Sequence, residues 1–285
     1  MLKIKELSLL LLIIVVIGCS ANNDDKKIRV AVTILPQKYL LDKIVGEKME
    51  VVCAIPEGGN PEEYVATPRQ MMDITSSVIY FKVGELGFEK TTLPSILRNM
   101  PDVREITLSE DIDFIASQCL HGGEEHLHYD PHYWSSPKAA KIMATNMYKA
   151  ISEYDKENIS YYEVNYNKLI SELDSVDLKV EEILSKSQER QFAIFHPSLS
   201  YFARDYGLQQ LSLEERGKEM TPQSMQKAIS EALKGGVETV FIQNEFNPTL
   251  VQTFAREIDA KIVVINPLAY NFTEEIIKVA DAISK

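Results

Sequence analysis

The 285-residue chain predicts an α/β protein of two lobes, each a four-stranded, mostly parallel sheet flanked by helices, the two joined by one long helix. Three observations predict it. Apolar, β-branched-rich runs alternate with helical patterns; the alternation occurs twice; and a stretch from Pro137 to about Lys186 without any strand signal separates the two sets. Runs apolar at nearly every position suit strands covered on both faces, as in parallel sheets packed between helices.

In the first set, strands fall at Ile28–Leu35, Met49–Ile55, Ser77–Val83 and roughly Val103–Leu108, with helices near Gln37–Val45, Pro68–Ile74 and Phe88–Asn99. In the second, strands fall at Gln191–Phe195, Leu208–Leu213, Val237–Gln243 and Lys261–Ile265, with helices near Leu199–Tyr206, Thr221–Leu233, Thr249–Ile258 and Thr273–Ile283. Eight such units could also close a (β/α)₈ barrel. The middle argues otherwise. Ser136 can cap a helix that has Pro137 at its first position and runs to about Glu153. Asp155 then resembles the cap of a second helix, where Leu169, Leu173, Val176, Val180 and Ile183 keep the 3.6-residue period. About 31 residues of helix span roughly 46 Å, a length that bridges two lobes and that a barrel crossover has no use for. The expected division is a signal peptide over 1–18, a tether over 19–27, a first lobe over 28–136, bridging helices over 137–188 and a second lobe over 189–285.

The first residues are targeting sequence. Lys3 and Lys5 precede the apolar run Leu7–Ile17, which is too short for a stable membrane span and suits a signal-peptide core. Val16-Ile17-Gly18-Cys19 followed by a polar stretch resembles a bacterial lipobox, so Cys19 is the expected first residue of an acylated, extracytoplasmic lipoprotein. More than one acyl chain makes such anchoring stable. The competing reading is an ordinary signal peptide cut near Ala21.

Removal of residues 1–18 leaves 28 basic and 41 acidic residues, a net charge of −13. That balance argues against nucleic acid and mildly favours cations. With Cys19 lipidated, Cys53 and Cys119 remain, either paired in an oxidising compartment or as two buried thiols.

The five histidines carry the chemistry. His121, His126, His128 and His132 fall within twelve residues, and His196 stands alone in the second lobe. Imidazole is a frequent zinc ligand, being neutral near pH 7 and borderline soft. Pro131 fixes the backbone before His132, and Asp130 can orient an imidazole by hydrogen bond. His196 closes the strand Gln191–Phe195 and Pro197 ends it. Ligands of open parallel sheets bind outside the carboxyl ends of strands, and both histidines meet that rule, one from each lobe.

Asp130-Pro131-His132-Tyr133-Trp134 with Ser136-Pro137-Lys138 resembles the DPHxW…PK motif of zinc/manganese-type solute-binding lipoproteins of bacterial ABC importers. Gly59-Asn60-Pro61-Glu62-Glu63-Tyr64 with Thr67-Pro68-Arg69 resembles that family's GxDPHxYxPTPR motif. His196 with Tyr201-Phe202-Ala203-Arg204-Asp205-Tyr206-Gly207 is similar to its third metal-binding segment, and Glu219-Met220-Thr221-Pro222 stands where the family has E-P-S-P. The likeness covers essentially the whole mature chain. It implies the same two-lobed fold, a metal cargo held between the lobes, a membrane permease as partner and a monomeric carrier.

Two positions depart from the motifs. Glu62 stands where the family carries its first histidine, giving a harder, more anionic ligand set that leans toward manganese or iron. Asn266 occupies the place of an aspartate ligand and offers only a neutral carbonyl oxygen, so water or Glu245 would complete the shell. The resemblance implies Glu62, His132, His196 and Asn266 as the metal set, with zinc as cargo and manganese or iron as alternatives. His121, His126 and His128 resemble a short form of the family's His-rich loop, an auxiliary station that captures metal weakly and passes it inward.

A zinc-dependent hydrolase is the rival class, since two histidines, a glutamate and an open position also describe a catalytic site and His126-Leu127-His128 mimics an HxH pair. That pair, however, falls in a loop after the fourth strand, and the sequence has no HExxH, GxSxG or phosphate-binding glycine loop. The expectation is a carrier and not an enzyme. A metal-binding surface adhesin on the same fold is the third class.

Overall fold

The computed structural model describes residues 27–98, 100–117, 128–215, 218–244 and 246–285. The signal segment, Cys19, Cys119, His121, His126 and Glu245 lie outside the described residues.

Strand β1 (Ile28–Val32) leads through helix α1 (Leu35–Val45) to β2 (Met49–Cys53), and then through α2 (Pro68–Thr75) to β3 (Ile79–Lys82). Two short helices, α3 (Gly87–Thr91) and α4 (Leu93–Leu97), precede β4 (Arg104–Thr107). These four strands form a parallel sheet in the order β2-β1-β3-β4. A small antiparallel pair, β5 (Ala116–Ser117) and β6 (His128–Tyr129), follows. A 3₁₀ turn over His132–Ser135 leads into α5 (Pro137–Tyr154) and the long α6 (Ile159–Ser185).

The second set begins with β7 (Gln191–Ile194), α7 (Ser200–Asp205) and β8 (Gln209–Ser212). The pair β9 (Glu214–Glu215) and β10 (Lys218–Glu219) then leads to α8 (Pro222–Gly235). Strand β11 (Thr239–Gln243), α9 (Thr249–Ile258), β12 (Lys261–Ile265) and α10 (Phe272–Ser284) complete it. Its parallel sheet runs β12-β11-β7-β8. Read from the other edge this is the strand order of the first sheet. In each, the chain reverses direction beside the first strand, between β1 and β3 and between β7 and β11. Crevices at such switch points are where ligands bind in open α/β sheets.

The strands form where apolar residues cluster. Val30, Ala31 and Val32 of β1 and Phe192, Ala193 and Ile194 of β7 are fully buried. Ser136 accepts from the backbone N–H groups of Lys138 and Ala139, and Pro137 sits in the first turn, so α5 starts where its cap dictates. Helix α6 packs on α5, on α1 of the first half and on α10 of the second, burying Leu169, Leu173, Val176, Val180 and Leu184. Beside it, the Tyr39 hydroxyl meets Glu172 of α6 and Thr273 of α10.

Three expectations change. The helix anticipated over Phe88–Asn99 is two, broken at Thr92 because Pro94 lacks the N–H that would continue the ladder. The second bridging helix does not start at Asp155. That carboxylate accepts from the Asn158 amide and the Tyr162 hydroxyl, a 3₁₀ turn over Lys156–Asn158 intervenes, and α6 runs for 27 residues, about 40 Å. Its last buried contact is Leu184, with Ile183 half-buried. Finally, His128 lies in a two-residue strand rather than a loop, because Tyr129 pairs with Ala116 and stacks on Phe114 at 4.6 Å.

Candidate metal centre

His132 opens the 3₁₀ turn and is held rigidly. Asp130 Oδ1 accepts from the His132 backbone N–H and from its ring Nδ1, both at 2.8 Å. The neighbouring Tyr133 hydroxyl donates to the carbonyl of Val83, just beyond β3, at 2.8 Å. From the second lobe, the Tyr201 hydroxyl donates to the Asp130 carbonyl at 2.7 Å. Burial alone would raise the Asp130 carboxyl; the interaction with the His132 ring, chiefly its hydrogen bond, together with hydrogen bonds from Ser200 and the His132 backbone, outweighs it and holds the group below the usual carboxylate range.

His196 sits just past β7, at the switch point of the second sheet. The Gln243 side chain, at the end of β11, accepts from the His196 backbone N–H and donates to its carbonyl at 2.7 Å. Phe246 stacks on the imidazole with ring centroids 5.6 Å apart. The ring Nδ1 meets Glu214 Oε2 at 2.9 Å.

With both Nδ1 atoms turned to carboxylates, the two Nε2 atoms face each other across the lobes, 3.2 Å apart. A carboxylate acceptor places the ring hydrogen on Nδ1, which leaves a lone pair on each Nε2. Two such lone pairs repel unless a cation lies between them. Two imidazole nitrogens bound to one zinc at ~2.0–2.1 Å with a tetrahedral angle stand roughly 3.3–3.4 Å apart. The pair is spaced as the edge of a metal polyhedron is.

The histidines open on a cleft of about 270 Å³ whose wall includes Glu62, Glu63 and Glu214, and among the described residues no Lys or Arg lines it. That favours cations over anions. Glu62 reaches the cleft on the Asn60–Tyr64 loop, where its Oε2 accepts from the Gly87 N–H at 3.2 Å. A Cβ at Gly87 would stand 2.3 Å from the Glu62 carbonyl oxygen, so only glycine lets the loop approach α3 this closely. Glu62 therefore faces the same space as the histidines without joining them: among the described residues no three His, Cys, Asp or Glu side chains converge as a finished ligand cluster.

Asn266 is not brought to the cleft. Its Oδ1 accepts from the Leu268 N–H at 3.1 Å and its backbone N–H donates to Glu275, while Pro267 and Leu268 line the cleft in its place.

Residues 30–283 match the family model described as zinc-uptake complex component A, periplasmic. The chain belongs to this family of solute-binding proteins of metal ABC uptake systems. It is 27% identical over 264 residues to the high-affinity zinc uptake system protein ZnuA of Bacillus subtilis, covering 87% of this chain and 81% of that one. It is 26% identical over 276 residues to a putative metal-binding protein of Chlamydia trachomatis, covering 96% and 97%. Its fold matches a crystal structure of ZnuA with a TM-score of 0.83 at 29% identity, over 90% of this chain and 98% of that one. The family carries solutes and is not a catalytic one.

Within the family frame, the residue that sequence reasoning missed is Glu214. It is 18 positions from the imidazole it touches. The signal that could have found it is its place: it follows β8, whose carboxyl end lies beside that of β7.

Proposed function

We propose that this chain captures zinc between its lobes and delivers it to the membrane permease of an ABC importer. The observation that carries the reading is the 3.2 Å separation of the two Nε2 atoms of His132 and His196, close to the roughly 3.3–3.4 Å edge of a tetrahedral zinc site. Glu62 supplies the third protein ligand by leaving the Gly87 N–H and turning inward, and water completes the shell. Asn266, with its oxygen committed to Leu268, stays outside the donor set. His121, His126 and His128 form an auxiliary station that captures metal weakly and passes it inward. Acylation of Cys19 tethers the protein to a membrane outside the cytoplasm, in the periplasm or at the cell surface.

Manganese is the second reading, and Glu62 favours it, because a carboxylate in place of imidazole suits a harder cation. Raw affinity does not separate the two, since most nitrogen–oxygen sites bind zinc more tightly. The test is elemental analysis of protein purified from its native host without chelator, together with calorimetry on metal-stripped protein. The expected result is one zinc per chain, with affinity lowered sharply in His132→Ala and little in His126→Ala. Bound manganese or iron, with growth of a deletion strain rescued by that metal and not by zinc, overturns the choice of cargo. Equal losses in the two variants overturn the site.

A further inference from the structure

The second lobe puts one titratable side chain into the cleft that nothing in the ligand set accounts for. Glu214 is 11% exposed at its side chain, lines the cleft, and spends one carboxylate oxygen on His196 Nδ1 at 2.9 Å. Its own backbone is fixed. Ser212 Oγ accepts from the Glu214 N–H at 3.2 Å and donates to its carbonyl at 3.0 Å, so the turn leaving β8 is closed on itself. With Gln243 on the His196 backbone and Phe246 on the ring face, Glu214 is the group that sets the rotation of the imidazole edge. The arrangement mirrors Asp130 on His132 in the first lobe. That acid stands two residues from its histidine, whereas Glu214 comes from the neighbouring strand's end.

We propose that Glu214 is a positioning residue for metal capture, acting through His196 and not as a ligand itself. Its carboxylate holds the Nδ1–H tautomer, aims the Nε2 lone pair at the point His132 also faces, and raises the donor strength of the ring. Carboxylate partners of ligating histidines have this role in metal sites generally, and removing one typically costs roughly 10- to 100-fold in affinity. The second lobe thus contributes its negative charge through an imidazole, in a chain whose β12–α10 turn presents Asn266 to its own backbone. The inference rests on the reading that a metal sits between His132 and His196.

The test compares Glu214→Gln, His196→Ala and the double variant, using zinc affinity from competition with a chromophoric chelator. Glutamine keeps the size and the acceptor oxygen but removes the charge. Glu214→Gln should bind zinc roughly 10-fold more weakly and Glu214→Ala up to about 100-fold, while adding Glu214→Gln to His196→Ala should change nothing further. Histidine side-chain nitrogen NMR of the metal-free protein should show His196 as the Nδ1–H tautomer, with the population moving toward Nε2–H in Glu214→Ala. A merely structural role would not move that signal. Wild-type affinity in both Glu214→Gln and Glu214→Ala, or losses that add in the double variant as for a direct ligand, would overturn the proposal. Failure of the wild-type protein to bind any divalent metal would instead sink the functional reading on which it rests.

Discussion

The indole N–H of Trp134 donates to the carbonyl of Pro267 at 3.0 Å, tying the segment that carries His132 to the turn that follows β12 in the other lobe. The same ring lies 5.1 Å from the His132 imidazole, centroid to centroid. Imidazole, indole and inter-lobe bond are therefore consecutive contacts of one buried cluster.

Trp134 is the chain's single tryptophan, so its fluorescence reports on this cluster alone. Zinc added to metal-stripped protein should change its emission and saturate at one equivalent. Trp134→Phe removes the hydrogen bond, strands the Pro267 carbonyl and enlarges a cavity of about 20 Å³ behind the ring. The expected loss of stability is about 2 kcal/mol by urea unfolding. An emission spectrum indifferent to zinc would place the metal away from His132.

Gly87 makes a sharper prediction than Glu62 itself, because it acts on the loop's position. Its missing side chain leaves room for the Glu62 backbone, and a methyl group there meets a carbonyl oxygen at 2.3 Å. Gly87→Ala should push the Asn60–Tyr64 loop off α3 and weaken zinc binding by about tenfold or more, as misplacing one ligand does. The folded state should persist, since Asn60, Glu62 and Glu63 of the loop are exposed and it is the loop that gives way. Calorimetry checks the affinity and circular dichroism the fold. An unchanged affinity would remove Glu62 from the site.

Most of the fold was legible because β1, β2, β11 and β12 are short apolar runs rich in β-branched residues with polar punctuation. The breaks that were missed had local causes also written in the chain: Pro94 dividing α3 from α4, and Asp155 spending its carboxylate on Asn158 and Tyr162 instead of capping α6. The centre was legible only in part. Asp130 and His132 are two residues apart, so their bond could be anticipated. The bond from Glu214 to His196 depends on β8 lying beside β7, a neighbour relation that single-sequence periodicity does not contain. The motif around Asn266 points to a ligand position, and the hydrogen bond its oxygen accepts from the Leu268 N–H is a turn contact that no motif announces.

Glu89 carries the pH prediction. Its carboxylate lies buried at the switch point of the first sheet, accepting from the Thr33 hydroxyl and from the N–H groups of Val83 and Gly84. Burial raises its pKa, and the three hydrogen bonds and Lys82 offset this only in part. A carboxyl raised above its unfolded value of about 4.3 binds more protons in the folded state across that interval. Its contribution is therefore fully present below the unfolded value and lost as pH rises through the folded one. The stability of wild type relative to Glu89→Gln should thus shift in favour of wild type between pH 7 and about pH 5. Urea unfolding at the two pH values measures it, and a difference that is flat or of opposite sign would show that the carboxyl is not raised.

Asn266 decides whether the turn after β12 takes part in binding. Aspartate there could keep accepting the Leu268 N–H, so Asn266→Asp preserves the turn while installing the residue type found in the resembled motif. The turn is fixed from two further sides, by Trp134 on the Pro267 carbonyl and by Glu275 on the Asn266 N–H. A carboxylate held in that position stays out of the cleft and sits beside Glu275, whose charge it repels. Zinc affinity should therefore change by less than about threefold, while stability falls by roughly 0.5–1 kcal/mol, the range for an unfavourable partly exposed charge pair. Competition titration and thermal unfolding of the same sample read both quantities. Tightening by tenfold or more would mean that the turn opens toward the metal, that the Trp134–Pro267 contact yields when it does, and that position 266 belongs to the donor set after all.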